Sequence, residues 1–147
     1  MLLTMVEYKR MSKYLLQFDG SCEDNPGHIA GYGLTILKND IQFYEESGKL
    51  AYGPIYSNNS AEFFAVYKGL KKLYSVLESG DTVLVQGDSL LAVNILNRKW
   101  RAKQKSLYYP AYKLAFDVLN SIKEKQISVT LQWISRVYNE RADELSR

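Results

Sequence analysis

Cysteine is almost missing from this 147-residue chain, with Cys22 standing alone. One cysteine excludes an internal disulfide and any multi-cysteine zinc centre, fits a reducing compartment, and leaves oxygen as the ligand of any bound metal. Histidine is as scarce, His28 being the only one. It lies beside Asn25-Pro26-Gly27 and reads as a surface loop residue rather than a catalyst. No apolar run approaches the ~18 residues that a membrane helix needs. Residues 1–12 carry Glu7, Lys9 and Arg10, which does not suit a signal peptide. The expectation is a soluble, cytoplasmic, monomeric protein with no membrane partner. A net charge of only +3 excludes a polycation as a whole. The one local excess is Arg98, Lys99, Arg101, Lys103 and Lys105, around Trp100, with no acid among them. Such a cluster suits a phosphate backbone, although a solvated helix end looks the same.

What is present is enough for one globular domain, 46% hydrophobic and 24% charged. The order begins with an apolar strand from Tyr14 to Asp19, expected to stop at Gly20 before a turn-rich loop. Alternation through Tyr32, Leu34 and Ile36, then the turn Lys38-Asn39-Asp40 and a strand from Ile41, predict an antiparallel meander of three strands. Phe63, Val66, Leu70, Leu73 and Leu77 recur at helical spacing after Asn59, with Gly80 as the stop. The run Thr82 to Gln86 predicts a buried strand ending at Gly87-Asp88, with Ser89 capping a helix over 90–97. A further helix over 106–125 tolerates Pro110 in its first turn, alternation over 127–133 predicts the last strand, and Asn139 would cap a short terminal helix. The domain is expected over 14–147, with residues 1–13 as an N-terminal extension, in a mixed α/β layer architecture.

Four acids sit where elements meet. Asp19 and Asp88 fall at expected strand ends, Glu62 and Asp143 near expected helix starts. Acids beyond the carboxyl ends of strands point to the usual ligand crevice of an open sheet. Clustered carboxylates repel unless cations are bound, and hard oxygen ligands favour Mg²⁺ or Mn²⁺. Singly, each acid also has a structural reading. Asn59 and Glu62 have capping-box spacing, and Asp88 and Asp143 suit helix starts. Asp19, closing an apolar strand, has no such role. Most tyrosines and Trp133 are assigned to packing, and Cys22 to a buried or substrate-facing small residue.

The segments Phe18-Asp19-Gly20-Ser21-Cys22-Glu23-Asp24-Asn25-Pro26-Gly27 with Gly31-Tyr32-Gly33, Ser57-Asn58-Asn59-Ser60-Ala61-Glu62, Gly87-Asp88-Ser89 and Asn139-Glu140-Arg141-Ala142-Asp143-Glu144-Leu145 resemble, in order and interval, the four motifs of type 1 ribonucleases H. Four spaced motifs together are specific where one is not. The resemblance implies a ribonuclease H-like fold, a five-stranded mixed sheet with three antiparallel strands first and parallel strands after, flanked by helices. It implies an endoribonuclease that hydrolyses the RNA strand of RNA/DNA hybrids, leaving 3′-hydroxyl and 5′-phosphate ends, with Asp19, Glu62, Asp88 and Asp143 holding two Mg²⁺ ions, or Mn²⁺. By the same resemblance Gly20, Ser21 and Cys22 would face the RNA, Asn25, Asn58 and Asn59 the groove, and Ser57 a DNA phosphate. Ser135-Arg136-Val137-Tyr138 stands where many bacterial members carry a loop histidine, and residues 94–110 lack their long basic handle. Both departures resemble the archaeal and plant-like branch, with Arg136 and Lys103 as substrate contacts and Trp100 either on a sugar or in the core. The competing readings are a non-catalytic nucleic-acid-binding domain of the same fold, and a nuclease that also cuts double-stranded RNA.

Overall fold

A computed structural model of the chain describes residues 11–147. Most of the expected N-terminal extension, residues 1–10, therefore lies outside the described residues. The elements are β1 (Lys13–Glu23), β2 (Ile29–Lys38), β3 (Ile41–Lys49), α1 (Asn58–Tyr74), β4 (Thr82–Gly87), α2 (Leu90–Leu96), α3 (Tyr109–Glu124), β5 (Ser128–Trp133), a 3₁₀ turn (Arg136–Tyr138) and α4 (Glu140–Ser146). The strands form one sheet in the order β3-β2-β1-β4-β5. The first three are antiparallel neighbours, while β4 runs parallel to both β1 and β5. This is the mixed five-stranded sheet expected of the ribonuclease H-like fold.

Alternation in β1 sorts its side chains between two faces. Leu16 and Phe18 are fully buried, and α1 packs over β1 and against α3. Gly20 continues the same face: a Cβ there would lie 2.3 Å from the backbone of Ala61 and Glu62. The first turns of α1 thus rest directly on the strand, which fixes where Glu62 can be. On the opposite face α4 packs against β1 and β2. A Cβ on Gly33 would lie 2.5 Å from Ser146 N, and one on Gly31 would lie 2.4 Å from Ser146 O. Two bare glycines on β2 let the short terminal helix sit on the sheet backbone.

Several local expectations are corrected. β1 does not stop at Gly20 but continues to Glu23, because Gly20, Ser21 and Cys22 stay paired with Tyr32, Gly31 and Ala30. Asp19 is therefore inside a strand, opposite Gly33. The capping box of α1 is formed by Ser57 and Ser60, not by Asn59 and Glu62: Ser57 Oγ accepts from Ser60 N at 3.2 Å and Ser57 N donates to Ser60 Oγ at 3.0 Å. Glu62 lies beyond the first turn and is free of capping duty. The helix ends at Tyr74, short of Leu77, and α3 starts only at Tyr109, so that Pro110 falls in its opening positions. Ser89 does cap α2, accepting from Ala92 N at 3.1 Å.

Candidate metal centre

Three carboxylates converge where β1, β4 and α1 meet. Asp19 comes from the middle of β1, Asp88 from the residue after β4, and Glu62 from α1. One oxygen of each lies within 4.8 Å of the others. Asp143, on α4, is not in that tight group but lines the same cavity of about 350 Å³, as do Gly20, Ser21, Cys22, Asn58 and Arg136. Asp19 stands centrally, within hydrogen-bonding reach of the carboxyls of both Glu62 and Asp143. Asp19 and Glu62 are buried. Among the described residues, none of Asp19, Glu62 and Asp88 forms an ion pair.

Unpaired acids at this spacing resist ionisation. Burial, the Asp88 charge and a hydrogen bond with Asp143 push Asp19 up to about 7. Burial, followed by the charges of Asp19 and Asp88, raises Glu62 well above the usual carboxylate range. For Asp143 burial also acts upward, but hydrogen bonds from Asp19 and Arg147 and the charge of Arg136 outweigh it and hold this carboxyl low. Glu62 Oε2 is buried and has no hydrogen-bond partner among the described residues. A lone acceptor in a nest of hard oxygen donors is what a divalent cation of the Mg²⁺ or Mn²⁺ kind would satisfy, so the residues fit such an ion.

The remaining site expectations divide. Arg136 Nη2 reaches Asp143 Oδ1 at 3.4 Å from the 3₁₀ turn. A glutamine ladder holds that turn: Gln17 Nε2 donates to Gln86 Oε1 at 2.9 Å and to Tyr138 O at 3.3 Å, and Gln86 Nε2 donates to Gln132 Oε1 at 2.7 Å. Asn25 and Ser57 have structural work, since Asn25 Oδ1 accepts from Asn58 N at 2.9 Å and Ser57 caps α1. Asn59 is partly buried in the first turn of α1 and lies outside the acidic cavity. Lys103 lies in a separate groove of about 750 Å³ with Arg101, Lys105, Tyr109 and Tyr112. Trp100 is 47% exposed, so the core reading fails for it. It fails for Trp133 too, which is 49% exposed and donates from Nε1 to Asp88 O at 3.2 Å. His28 is exposed in its loop, as expected.

Asn139 was expected to cap α4 but makes no side-chain cap bond. Instead it is fully buried and donates from Nδ2 to Phe18 O at 2.9 Å, tying the start of α4 to the residue before Asp19. Asn139→Ala is expected to lower stability by about 2 kcal/mol in urea unfolding, through a buried carbonyl left without its donor. An unchanged urea midpoint would contradict that role.

Sequence reading missed Ser146 and Arg147. Arg147 Nη2 lies 3.1 Å from Asp143 Oδ1 and lines the cavity, and Ser146 Oγ donates to Asp19 Oδ2 at 3.0 Å. The signal was available: three and four residues after Asp143, both share its face of the helix.

A family model described as RNase H matches residues 11–147. The chain belongs to the RNase H family. Among solved structures, this RNase H domain is similar to the RNase H1 of Halobacterium salinarum NRC-1, with a TM-score of 0.76 and 23% identity, covering 91% of this chain and 94% of that one. It also resembles LC11-RNase H1, solved in complex with an RNA/DNA hybrid, with a TM-score of 0.73, 26% identity, and 90% and 93% of the two chains covered. Among curated proteins, YpeP of Bacillus subtilis (strain 168) is 26% identical over 153 residues, which takes in 98% of this chain. The chain spans 65% of the length of YpeP.

Proposed function

We propose that the domain, residues 14–147, is an endoribonuclease that hydrolyses the RNA strand of RNA/DNA hybrids with two divalent metal ions, leaving 3′-hydroxyl and 5′-phosphate ends. The observation that carries the reading is the group of buried Asp19 and Glu62 with half-buried Asp88, their oxygens within 4.8 Å and no cation paired to them among the described residues. Asp19, Glu62, Asp88 and Asp143 would hold the ions. When bound, such ions supply a water nucleophile at neutral pH and offset charge on the phosphate.

The chain's own residues do the positioning. Asp19, between Glu62 and Asp143, is the one acid placed to serve both sides of the site. Gly20, Ser21 and Cys22 line the cavity beside it, where their backbone would meet the RNA strand and its 2′-hydroxyls. Asn58, at the mouth, would lie along the groove. Arg136, already beside Asp143, supplies positive charge where other members use a loop histidine. This supports placing the chain in the branch without that histidine. Arg101, Lys103 and Lys105 form a compact basic groove, suited to the phosphates of the opposite strand. Trp100 is exposed enough to pack on a sugar. The hydroxyl of Ser57 is committed to its helix cap, which weakens the case for it as a phosphate ligand.

The test is incubation of the purified protein with labelled RNA/DNA hybrid, RNA duplex and DNA duplex, each with Mg²⁺, Mn²⁺ or chelator. Cleavage of the hybrid RNA strand with metal and none with chelator is expected. Hybrid intact under both metals would sink the enzymatic reading in favour of a binding domain, and equal cutting of RNA duplex would broaden the substrate.

A further inference from the structure

The geometry points to Ser146 as a positioning residue that aims the Asp19 carboxylate at the metal site. The inference rests on the proposed metal-dependent reading and adds to it a residue outside the four acids. Ser146 is the last residue of α4 and is 1% exposed. Its hydroxyl donates to Asp19 Oδ2 at 3.0 Å and lies 2.8 Å from Asp143 O. One proton thus faces two acceptors, one on each of two candidate ligands. Between a carboxylate and a neutral carbonyl, the ionised group makes the stronger bond. With Asp19 charged, the hydroxyl therefore occupies one lone pair of Oδ2 and fixes the plane of the carboxylate.

The fold goes to some length to put that hydroxyl there. Gly31 and Gly33 allow the backbone of α4 to rest on β2, where any Cβ would strike Ser146. Ser21 Oγ then donates to Ser146 O at 2.6 Å, and Ser47 Oγ donates to Leu145 O. Two strands thereby hold the end of α4 by its carbonyls, which fixes the Ser146 hydroxyl between Asp19 Oδ2 and Asp143 O. Asn139 pins the other end of the helix to Phe18 O, one residue from Asp19. An outer hydrogen bond of this kind sets the orientation of a ligand and is worth about 10–100-fold in metal affinity or activity.

The decisive experiment measures Mn²⁺ binding to the full chain by calorimetry, without substrate, for wild type and Ser146→Ala. The variant is expected to bind Mn²⁺ about tenfold more weakly. In hybrid cleavage its half-saturating Mg²⁺ should rise to a similar extent, while kcat at saturating metal falls less than about threefold. Melting in chelator separates this from packing, because a packing role would lower the chelator melting temperature and leave the Mn²⁺ constant alone. A Mn²⁺ dissociation constant within about twofold of wild type would overturn the inference. If the wild type binds Mn²⁺ and cuts hybrid while Ser146→Ala does both equally well, only this inference fails. If the wild type binds no Mn²⁺, the metal-dependent reading falls with it.

Discussion

Asp19→Asn is expected to slow cleavage of RNA/DNA hybrid by about 10³-fold or more, the loss of some 4 kcal/mol of metal-borne charge stabilisation, and at the same time to stabilise the metal-free fold. The two effects have one cause. Asp19 is buried among Glu62, Asp88 and Asp143 with no cation paired to it among the described residues, so its charge opposes folding whenever no ion is bound. Asparagine keeps the shape and can still accept from Ser146 Oγ, but carries no charge. In chelator at pH 7.5 the variant should unfold at higher urea than wild type, by about 1–3 kcal/mol. Millimolar Mg²⁺ should close the gap by stabilising wild type alone. A variant that lost activity through misfolding would be less stable in chelator, so the sign of the stability change separates site from scaffold. Cleavage at the wild-type rate would remove Asp19 from the site altogether.

Much of this was legible in the chain because periodicity and punctuation are local. The meander, the long helix and the strand ending at Gly87 follow from alternation and helical spacing, and the structure keeps them within a few residues. What was not legible depends on close approach between distant segments. Asp19 looked like a strand end because Gly20 looked like a stop. In fact that glycine is needed so that α1 can touch the strand at Ala61 and Glu62, and pairing with β2 carries β1 on to Glu23. Asn139 looked like a cap because it precedes a helix, yet its partner is Phe18 O, 121 residues away. Trp133 looked like core because alternation cannot tell a covered face from an open one at a sheet edge. Helical spacing puts Ser146 and Arg147 on the face of Asp143, but the contact of Ser146 with Asp19 joins segments 127 residues apart. The four carboxylates were found by their motifs. Only the fold divides them into three in close array and one, Asp143, that is paired with two arginines.

That division leads to the second large effect, on pH and metal together. Asp19, raised to about 7, and Glu62, raised in the same direction, keep protons in the folded protein that the unfolded chain has already lost. Between about pH 4 and 7 the native state therefore binds more protons than the unfolded state, and stability must fall as pH rises through that window. Groups held low act elsewhere. Asp143 is lowered on balance by Asp19, Arg147 and Arg136. Glu45 is lowered by Arg141, and Glu46 by Tyr32, Tyr44 and Lys68 against the upward pull of burial. Their stabilisation is present above the ordinary carboxylate range and is lost only as pH drops below it. In chelator the protein should thus be most stable near pH 4 and lose on the order of 2–4 kcal/mol between pH 5 and 7.5, a fall of roughly 5–10 °C in melting temperature. A divalent ion competes with those same protons, so the stabilisation by Mg²⁺ should be small at pH 5 and should grow toward pH 8. Calorimetric melting across this range, in chelator and in Mg²⁺, reads both trends. A chelator curve that is flat or rising from pH 5 to 7.5 would show that Asp19 and Glu62 are already charged without metal, and the electrostatic account of the site would have to be abandoned.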